Sequence, residues 1–333
     1  MRIALTGGGS GGHLFPMIAV AQGIKNLVQQ NIFQIPPGEG ISVDFMFIGP
    51  QTVGEETLTE NNIPHKRIQA GKFRRYFSFQ NIIDVFRVPI GFLQSLWHLF
   101  FFMPNAIFSK GGFGSVPVVL AAWIYRIPVL IHESDSIPGL ANKFCAKFSK
   151  RIAISFSEAA NYFPAKKIAL TGNPIRPGLA NGTKERAKEL FGLSGTKSVI
   201  LILGGSQGAT ALNDIIFASL PRLLENCEVI HQCGPGNYET IKQMLSQKIP
   251  EGYFLLPFLN EDQLCQAYAA ADLVVSRAGA GSITEIAYLA KPSIIVPLPN
   301  SAGDHQLKNA LEYVAYGGSI VIEQMNLTPN LFE

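Results

Sequence analysis

The chain has 333 residues, of which 47% are hydrophobic and only 15% charged, and its net charge is +3. That length predicts two domains, and the composition predicts a globular chain with a large core. So weak a positive charge does not imply nucleic acid, and no recognition module accompanies the basic residues, so no nucleic-acid partner is expected. Cys145, Cys227, Cys233 and Cys265 are scattered without metal spacing or a pairing pattern, as in a protein with reduced thiols. The most apolar stretch, 88–103, is broken by Pro89, Gly91, Gln94, Ser95 and His98 and is too short for a transmembrane helix. Residues 1–6 read as a strand, not as a signal peptide.

In chain order, a strand at 2–6 runs into Gly7-Gly8-Gly9-Ser10-Gly11-Gly12-His13 and then a helix over 14–30. Glycine between a strand and a helix brings bare N–H groups and the positive helix end up to a ligand, and some of these glycines are expected at positive φ. Gly7, Gly9 and Gly12 fit the dinucleotide spacing G-x-G-x-x-G. The second strand, 43–48, ends at Phe47-Ile48-Gly49-Pro50 without the acid that fingerprint requires, and no Gly-Lys-Ser/Thr follows to make a P-loop. Strands at 64–69, 105–108, 128–131, 151–154 and 167–171 then alternate with helices at 54–61, 80–102, 114–125 and 138–148, and 34–40 reads as a loop. Runs such as Pro128-Val129-Leu130-Ile131 suit a parallel sheet covered on both faces.

Gly172-Asn173-Pro174-Ile175-Arg176-Pro177-Gly178 breaks both helix and strand, which predicts domains over 1–170 and 171–333. The pattern restarts with a strand at 198–203, Gly204-Gly205-Ser206-Gln207-Gly208 and a helix over 209–224, followed by strands at 227–231, 252–256, 272–275, 293–296 and 318–321. Both halves open with strand, glycine turn and helix. The fold class is therefore α/β, with two Rossmann-like domains facing across a cleft and ligands at the carboxyl ends of their strands. At the far end Thr328-Pro329 reads as the start of a helix, which predicts that the native protein continues past Glu333.

Several polar clusters sit where such a fold puts its sites. Lys110-Gly111-Gly112-Phe113-Gly114-Ser115 is a second glycine turn between a strand and a helix. His132-Glu133-Ser134-Asp135-Ser136 follows the strand at 128–131; Ser136 capping a helix near Pro138 explains one of these polar residues but not the others. Arg277-Ala278-Gly279-Ala280-Gly281-Ser282-Ile283-Thr284-Glu285 offers backbone to a phosphate. Glu285 is expected in the first helical turn, where it either accepts from a ribose diol or merely complements the helix dipole. Asp304-His305-Gln306 is a further cluster at a strand end. Over 66–102, Lys66, Arg67, Lys72, Arg74, Arg75 and Arg87 mingle with Phe73, Tyr76, Phe77, Phe79, Phe92 and Trp97 and only one acid, Asp84. That mixture suits an anionic membrane surface, or else a core helix with ordinary surface charges.

Taken in order, 6–13, 111–115, 132–135, 172–176, 204–208 and 277–285 resemble one family, MurG. The resemblance spans nearly the whole chain. It implies a GT-B fold and an inverting transfer of N-acetylglucosamine from UDP-N-acetylglucosamine. The acceptor would be the C4 hydroxyl of N-acetylmuramyl-pentapeptide on undecaprenyl diphosphate (lipid I), giving lipid II for peptidoglycan at the cytoplasmic face of the bacterial plasma membrane. Carried over by position, it puts Ser10, Gly11 and Gly12 at the site's N-domain wall and Arg176 and Ser206 at the donor's diphosphate and uridine. Leu259 would lie by the uracil, Ala280, Gly281, Ser282, Ile283, Thr284 and Glu285 around the nucleotide with Glu285 on the ribose, and Gln306 at the sugar hydroxyls. The family's His-Glu-Gln-Asn stands here as His-Glu-Ser-Asp, which adds the carboxylate of Asp135. An inverting transfer needs a base. His13 is the candidate, with Glu133 or Asp135 as competitor or orienting partner, and no obligatory metal is expected since no Asp-x-Asp is present. The rival readings are another GT-B transferase with a lipid acceptor, an NAD-dependent oxidoreductase and a lipid-carrier-binding protein without turnover.

Overall fold

A computed structural model describes residues 1–8, 11–30, 32, 42–51, 55–71, 79–205, 209–245 and 248–332. The chain divides into two compact units, Met1–Pro177 and Gly178–Glu333, so Gly172 to Arg176 belong to the first.

The first unit contains β1 (Arg2–Thr6), α1 (Gly11–Gln29), β2 (Asp44–Gly49), α2 (Glu55–Glu60), β3 (His65–Arg67), α3 (Phe79–Phe102), β4 (Ala106–Ser109), α4 (Ser115–Ile124), β5 (Val129–Glu133), α5 (Leu140–Cys145), β6 (Arg151–Ile154) and β7 (Ile168–Leu170). Its seven strands are parallel in the order β3-β2-β1-β4-β5-β6-β7. The second unit contains α6 (Lys184–Phe191), β8 (Ser198–Leu203), α7 (Thr210–Asn226), β9 (Cys227–Gln232), α8 (Pro235–Met244), β10 (Tyr253–Leu256), α9 (Glu261–Ala270), β11 (Leu273–Arg277), α10 (Ala280–Tyr288), β12 (Ser293–Val296), α11 (His305–Val314) and β13 (Ser319–Val321). Its six parallel strands run β10-β9-β8-β11-β12-β13.

Alternation along β1 explains the layering. Ile3 and Leu5 pack with Leu14, Met17 and Phe45 on one face, while Ala4 packs with Ile107, Val118 and Ile131 on the other. Neither face meets water, which is why the strands read as unbroken apolar runs. In the second unit Ile200 and Ile202 of β8 pack under Leu212, Ile216 and Leu220 of α7. In each unit the strand order reverses direction once, between β1 and β4 and between β8 and β11. Connections leave such a point to opposite sides and open a crevice above the carboxyl ends of the two strands. The glycine turns after Thr6, Ser109, Leu203 and Arg277 all emerge there.

Three expectations shift. The first helix begins at Gly11, not Leu14, so Gly11, Gly12 and His13 form its first turn. Gly7, Gly8, Gly11 and Gly12 are not among the residues at positive φ, whereas Gly111 and Gly112 are (φ 83° and 79°). The helix after Gly139 is uncapped by any side chain, and Ser136 is buried without capping it. Thr328-Pro329 leads into a short 3-10 turn, Pro329–Phe332. All four cysteines are free thiols.

One buried group makes the second core sensitive to acid. His231, fully buried on β9, accepts from the Tyr253 hydroxyl at Nδ1 (2.8 Å) and donates from Nε2 to Asn213 Oδ1 (3.0 Å). Asn213 is fixed in that orientation because its amide donates to the Cys233 carbonyl. Burial pushes the imidazole down to about 3 from its usual 6.5. A depressed histidine pKa means that stability is intact above pH 6.5 and is lost as the pH falls toward about 3, because the unfolded chain alone takes the proton. The loss is about 1.4 kcal/mol per pH unit for one such group. Urea unfolding of the native chain at pH 7 and pH 5 will show a slope in this direction, and His231→Asn will remove the His231 share of it while the share of the other buried imidazole, His132, remains.

Candidate functional site

In the first unit three loops converge on Lys110, the residue after β4. Its side chain is 1% exposed. The ammonium lies 2.7 Å from His132 Nδ1 and 2.8 Å from Asn173 Oδ1, and it also donates to Ser134 Oγ. Burial pulls the amine down to about 7, against the raising influence of Glu133 and Asp135. His132 Nε2 faces the Gly172 carbonyl at 2.9 Å. A carbonyl only accepts, so Nε2 carries the hydrogen and Nδ1 is the bare nitrogen that receives the lysine proton. Burial first, and the Lys110 charge second, push that imidazole down to about 3, so it is neutral.

His13 sits above this cage, on the first turn of α1. Its Nδ1 is 3.1 Å from the Lys110 carbonyl, and the same rule leaves Nε2 bare. Burial and then the Lys110 charge lower its pKa, while the bond to the carbonyl and Asp135 act in the opposite sense. The ring lies against two glycine turns. A Cβ on Gly8 would come 3.0 Å from His13 Cδ2, and one on Gly112 would come 2.8 Å from Gly8 Cα. Glycine is therefore required here because the turns after β1 and β4 touch each other and the imidazole, with Gly112 also at positive φ.

Glu133 is almost fully buried, and its carboxylate is occupied within its own loop. It accepts from the Asp135 and Gly139 amides at 3.0 and 3.2 Å and from Asn142 Nδ2 at 2.8 Å. Burial, with the nearby Asp135 charge, pushes it above the usual carboxylate range. This is the work of a loop clamp, whereas Asp135 is only half-buried. Arg176 places its guanidinium over the Phe15 ring, 5.5 Å from the centroid, and so lies beside the His13 turn in the first unit. Ser10 and Ser206 fall outside the described residues.

The second unit furnishes its crevice mainly with main-chain amides and carboxamides, with Glu285 as its carboxylate. α10 begins after Gly279 with no side-chain cap, so the amides of Ala280, Gly281 and Ser282 are its open first-turn donors, while the Ile283 amide already bonds the Gly279 carbonyl. The Ile283 side chain is buried in the core, and the Thr284 hydroxyl bonds back to the Ala280 carbonyl at 2.7 Å. Glu285 falls in the second turn, not the first, which removes the helix-dipole explanation for it. It accepts from the Tyr268 hydroxyl at 3.3 Å. Leu259 is buried, and its amide donates to Gln232 Oε1 at 3.0 Å, leaving its carbonyl as the open main-chain group. Gln306, on the first turn of α11, uses Oε1 to accept from the Leu298 amide and has its carboxamide nitrogen to offer a ligand oxygen.

Sequence reasoning named Lys110 and Asn173 within their motifs without giving either side chain a role, and passed over Gln232. Gln232 joins the turn after β8 to the 257–259 loop, through the Gly205 carbonyl and the Leu259 amide. The only available signal was a polar residue ending an otherwise apolar strand. Among the described residues no group of three or more His, Cys, Asp or Glu is arranged to hold a metal ion.

Comparison with known proteins covers both units. The glycosyltransferase family 28 N-terminal domain matches residues 3–154, and the C-terminal domain of the same family matches 199–333. The UDP-N-acetylglucosamine--N-acetylmuramyl-(pentapeptide) pyrophosphoryl-undecaprenol N-acetylglucosamine transferase 2 of Bacillus cereus is 38% identical over 330 residues, covering 98% of this chain and 88% of that protein. The transferase of that name from Lachnospira eligens is 39% identical, covering 98% and 87%. The crystal structure of Acinetobacter baumannii MurG superposes with a TM-score of 0.69 at 28% identity, covering 99% of this chain and 88% of that one. With two parallel-sheet units of the GT-B type and relatives of this likeness along nearly its whole length, the chain belongs to the MurG family of glycosyltransferases.

Proposed function

We propose that this protein transfers N-acetylglucosamine, with inversion, from UDP-N-acetylglucosamine to the C4 hydroxyl of N-acetylmuramyl-pentapeptide on undecaprenyl diphosphate. The names of its relatives supply the donor and the lipid-linked acceptor. The observation that carries the mechanism is the His13–Lys110 contact. Because Nδ1 is committed to a carbonyl and the ring is held neutral, Nε2 is a base ready to accept a proton. As the acceptor oxygen attacks C1 of the sugar, its proton passes to Nε2. The C1–O bond to UDP breaks on the opposite face, and the electron pair leaves with the diphosphate.

The open amides of α10 are suited to that diphosphate, and Glu285 to the ribose diol. In this reading no resident metal takes part. Asp135 acts on His13 through its charge, and Glu133 holds the loop that carries it.

A peripheral association with the cytoplasmic face of the bacterial plasma membrane fits the first unit. Among the described residues no helix is long and apolar enough to cross a membrane. α3, however, is apolar on two sides. Gly91, Ser95 and Leu99 face the core, while Ile90, Leu93, Trp97, Phe100 and Phe101 form an opposite, solvent-facing stripe, with Trp97 63% exposed. α3 packs along α4, whose end adds exposed Trp123 and Ile124. Arg126 and Lys150 line a groove of about 590 Å³ beside them. Aromatic residues flanked by cations suit an anionic lipid surface. On α3 this surface takes up the last part of the 66–102 stretch singled out in the sequence, Trp97 included; 72–78 fall outside the described residues, Arg67 pairs with Glu55, and Phe92 packs into the core.

His13→Ala will lose turnover by about 10²-fold or more while UDP-N-acetylglucosamine binding, measured by calorimetry, persists. Wild-type turnover in that variant removes His13 from the mechanism. Chelator will leave the wild-type rate unchanged, and a rate that collapses and returns with added divalent cation overturns the metal-free reading. Replacing Trp97 and Phe101 with serine will reduce co-sedimentation with anionic liposomes without altering UDP-sugar binding. Undiminished co-sedimentation refutes the membrane surface.

A further inference from the structure

Lys110 is buried among groups that define its charge state by geometry. An ammonium has three protons and no lone pair, and three acceptors surround it: His132 Nδ1, Asn173 Oδ1 and Ser134 Oγ. His132 can only accept at Nδ1, because its other nitrogen donates to the Gly172 carbonyl. The cage is thus built for a cation, and the carboxylates of Glu133 and Asp135 act on it as neighbouring charges. The same residue's main-chain carbonyl meets His13.

We propose that Lys110 is the positioning residue of the acceptor half of this site: its carbonyl orients the His13 ring, and its caged ammonium is the fixed positive charge against which that ring takes and releases the acceptor's proton. This rests on the reading of His13 as the base. The carbonyl decides which nitrogen is bare. The ammonium disfavours the protonated ring while the enzyme waits, and it favours rapid loss of the proton after transfer. Asp135 is the counterweight acting on the same ring, and the neutral His132 contributes no charge. The amine is held near 7, so this fixed charge fades as the pH rises through neutrality.

The test is an NMR titration of the His13 imidazole in the full chain without substrate, assigned with His13→Gln, alongside the pH profile of kcat/KM. Lys110→Met keeps the length and the main-chain carbonyl but removes the charge. Asn173→Asp keeps the lysine and neutralises it with an isosteric carboxylate, which guards against a methionine variant that fails to fold. In both, the His13 midpoint will move to higher pH, the acid limb of kcat/KM will move with it, kcat below neutrality will fall about ten-fold, and the KM for UDP-N-acetylglucosamine will stay within about two-fold. A role confined to holding loops together would lower stability and leave the midpoint in place; an unmoved midpoint in a folded variant overturns the proposal. If the midpoint moves and the acid limb does not, the action of Lys110 on His13 stands and the assignment of His13 as the base falls.

Discussion

The first unit depends on one uncommon interaction, a buried lysine held by three neutral acceptors. Taking an ammonium out of water costs several kcal/mol unless every proton finds a partner. Here the partners come from the loop after β5 and from the segment at 172–176, so those two pieces of chain and the turn after β4 are organised together. None can shift alone without leaving a buried donor unsatisfied, which carries a larger penalty than the bond's net contribution. Precision at His13 follows from this, since the ring hangs from the carbonyl of the caged residue and is wedged between the glycines of two turns.

The second unit uses the same topology and different furniture. Its crevice is lined by an uncapped helix start, by the carboxamides of Gln232 and Gln306 and by one carboxylate. Open amides and carboxamides can bind a charged nucleotide without altering its protonation. The first unit, with Lys110, His132, His13 and Asp135 close together, can tune a proton transfer. The division of labour proposed for the two units, nucleotide binding in one and base chemistry in the other, rests on these polar groups and not on the fold that both units share.

Much of the fold was legible because parallel strands buried on both faces are continuous apolar runs; all the strands read from the pattern are present, within a residue or two at their ends. The helix starts were harder. Glycine disfavours helix, so α1 was read as beginning at Leu14, yet the helix reaches back to Gly11 and places His13 in its first turn. The glycines themselves were read as making room for a ligand. Gly8 and Gly112 make room first for each other. The part played by Lys110 was hidden for a related reason: its partners lie 22, 24 and 63 residues away, and only the sheet order brings them together.

α3 was ambiguous in sequence, and the ambiguity was real. A core helix and a membrane-surface helix both show an apolar stripe, and this one carries two, one buried and one exposed. Spacing of 90, 93, 97, 100 and 101 defines one stripe and 91, 95 and 99 the other, so hydropathy alone could not decide between them. What decides is which stripe the sheet already covers. Once Leu99 is packed in the core and Trp97 is not, the outer stripe is an apolar surface beyond what the fold itself needs. Such a surface is costly to expose to water unless something apolar covers it, and this excess of apolar area is the physical ground for the bilayer contact proposed above.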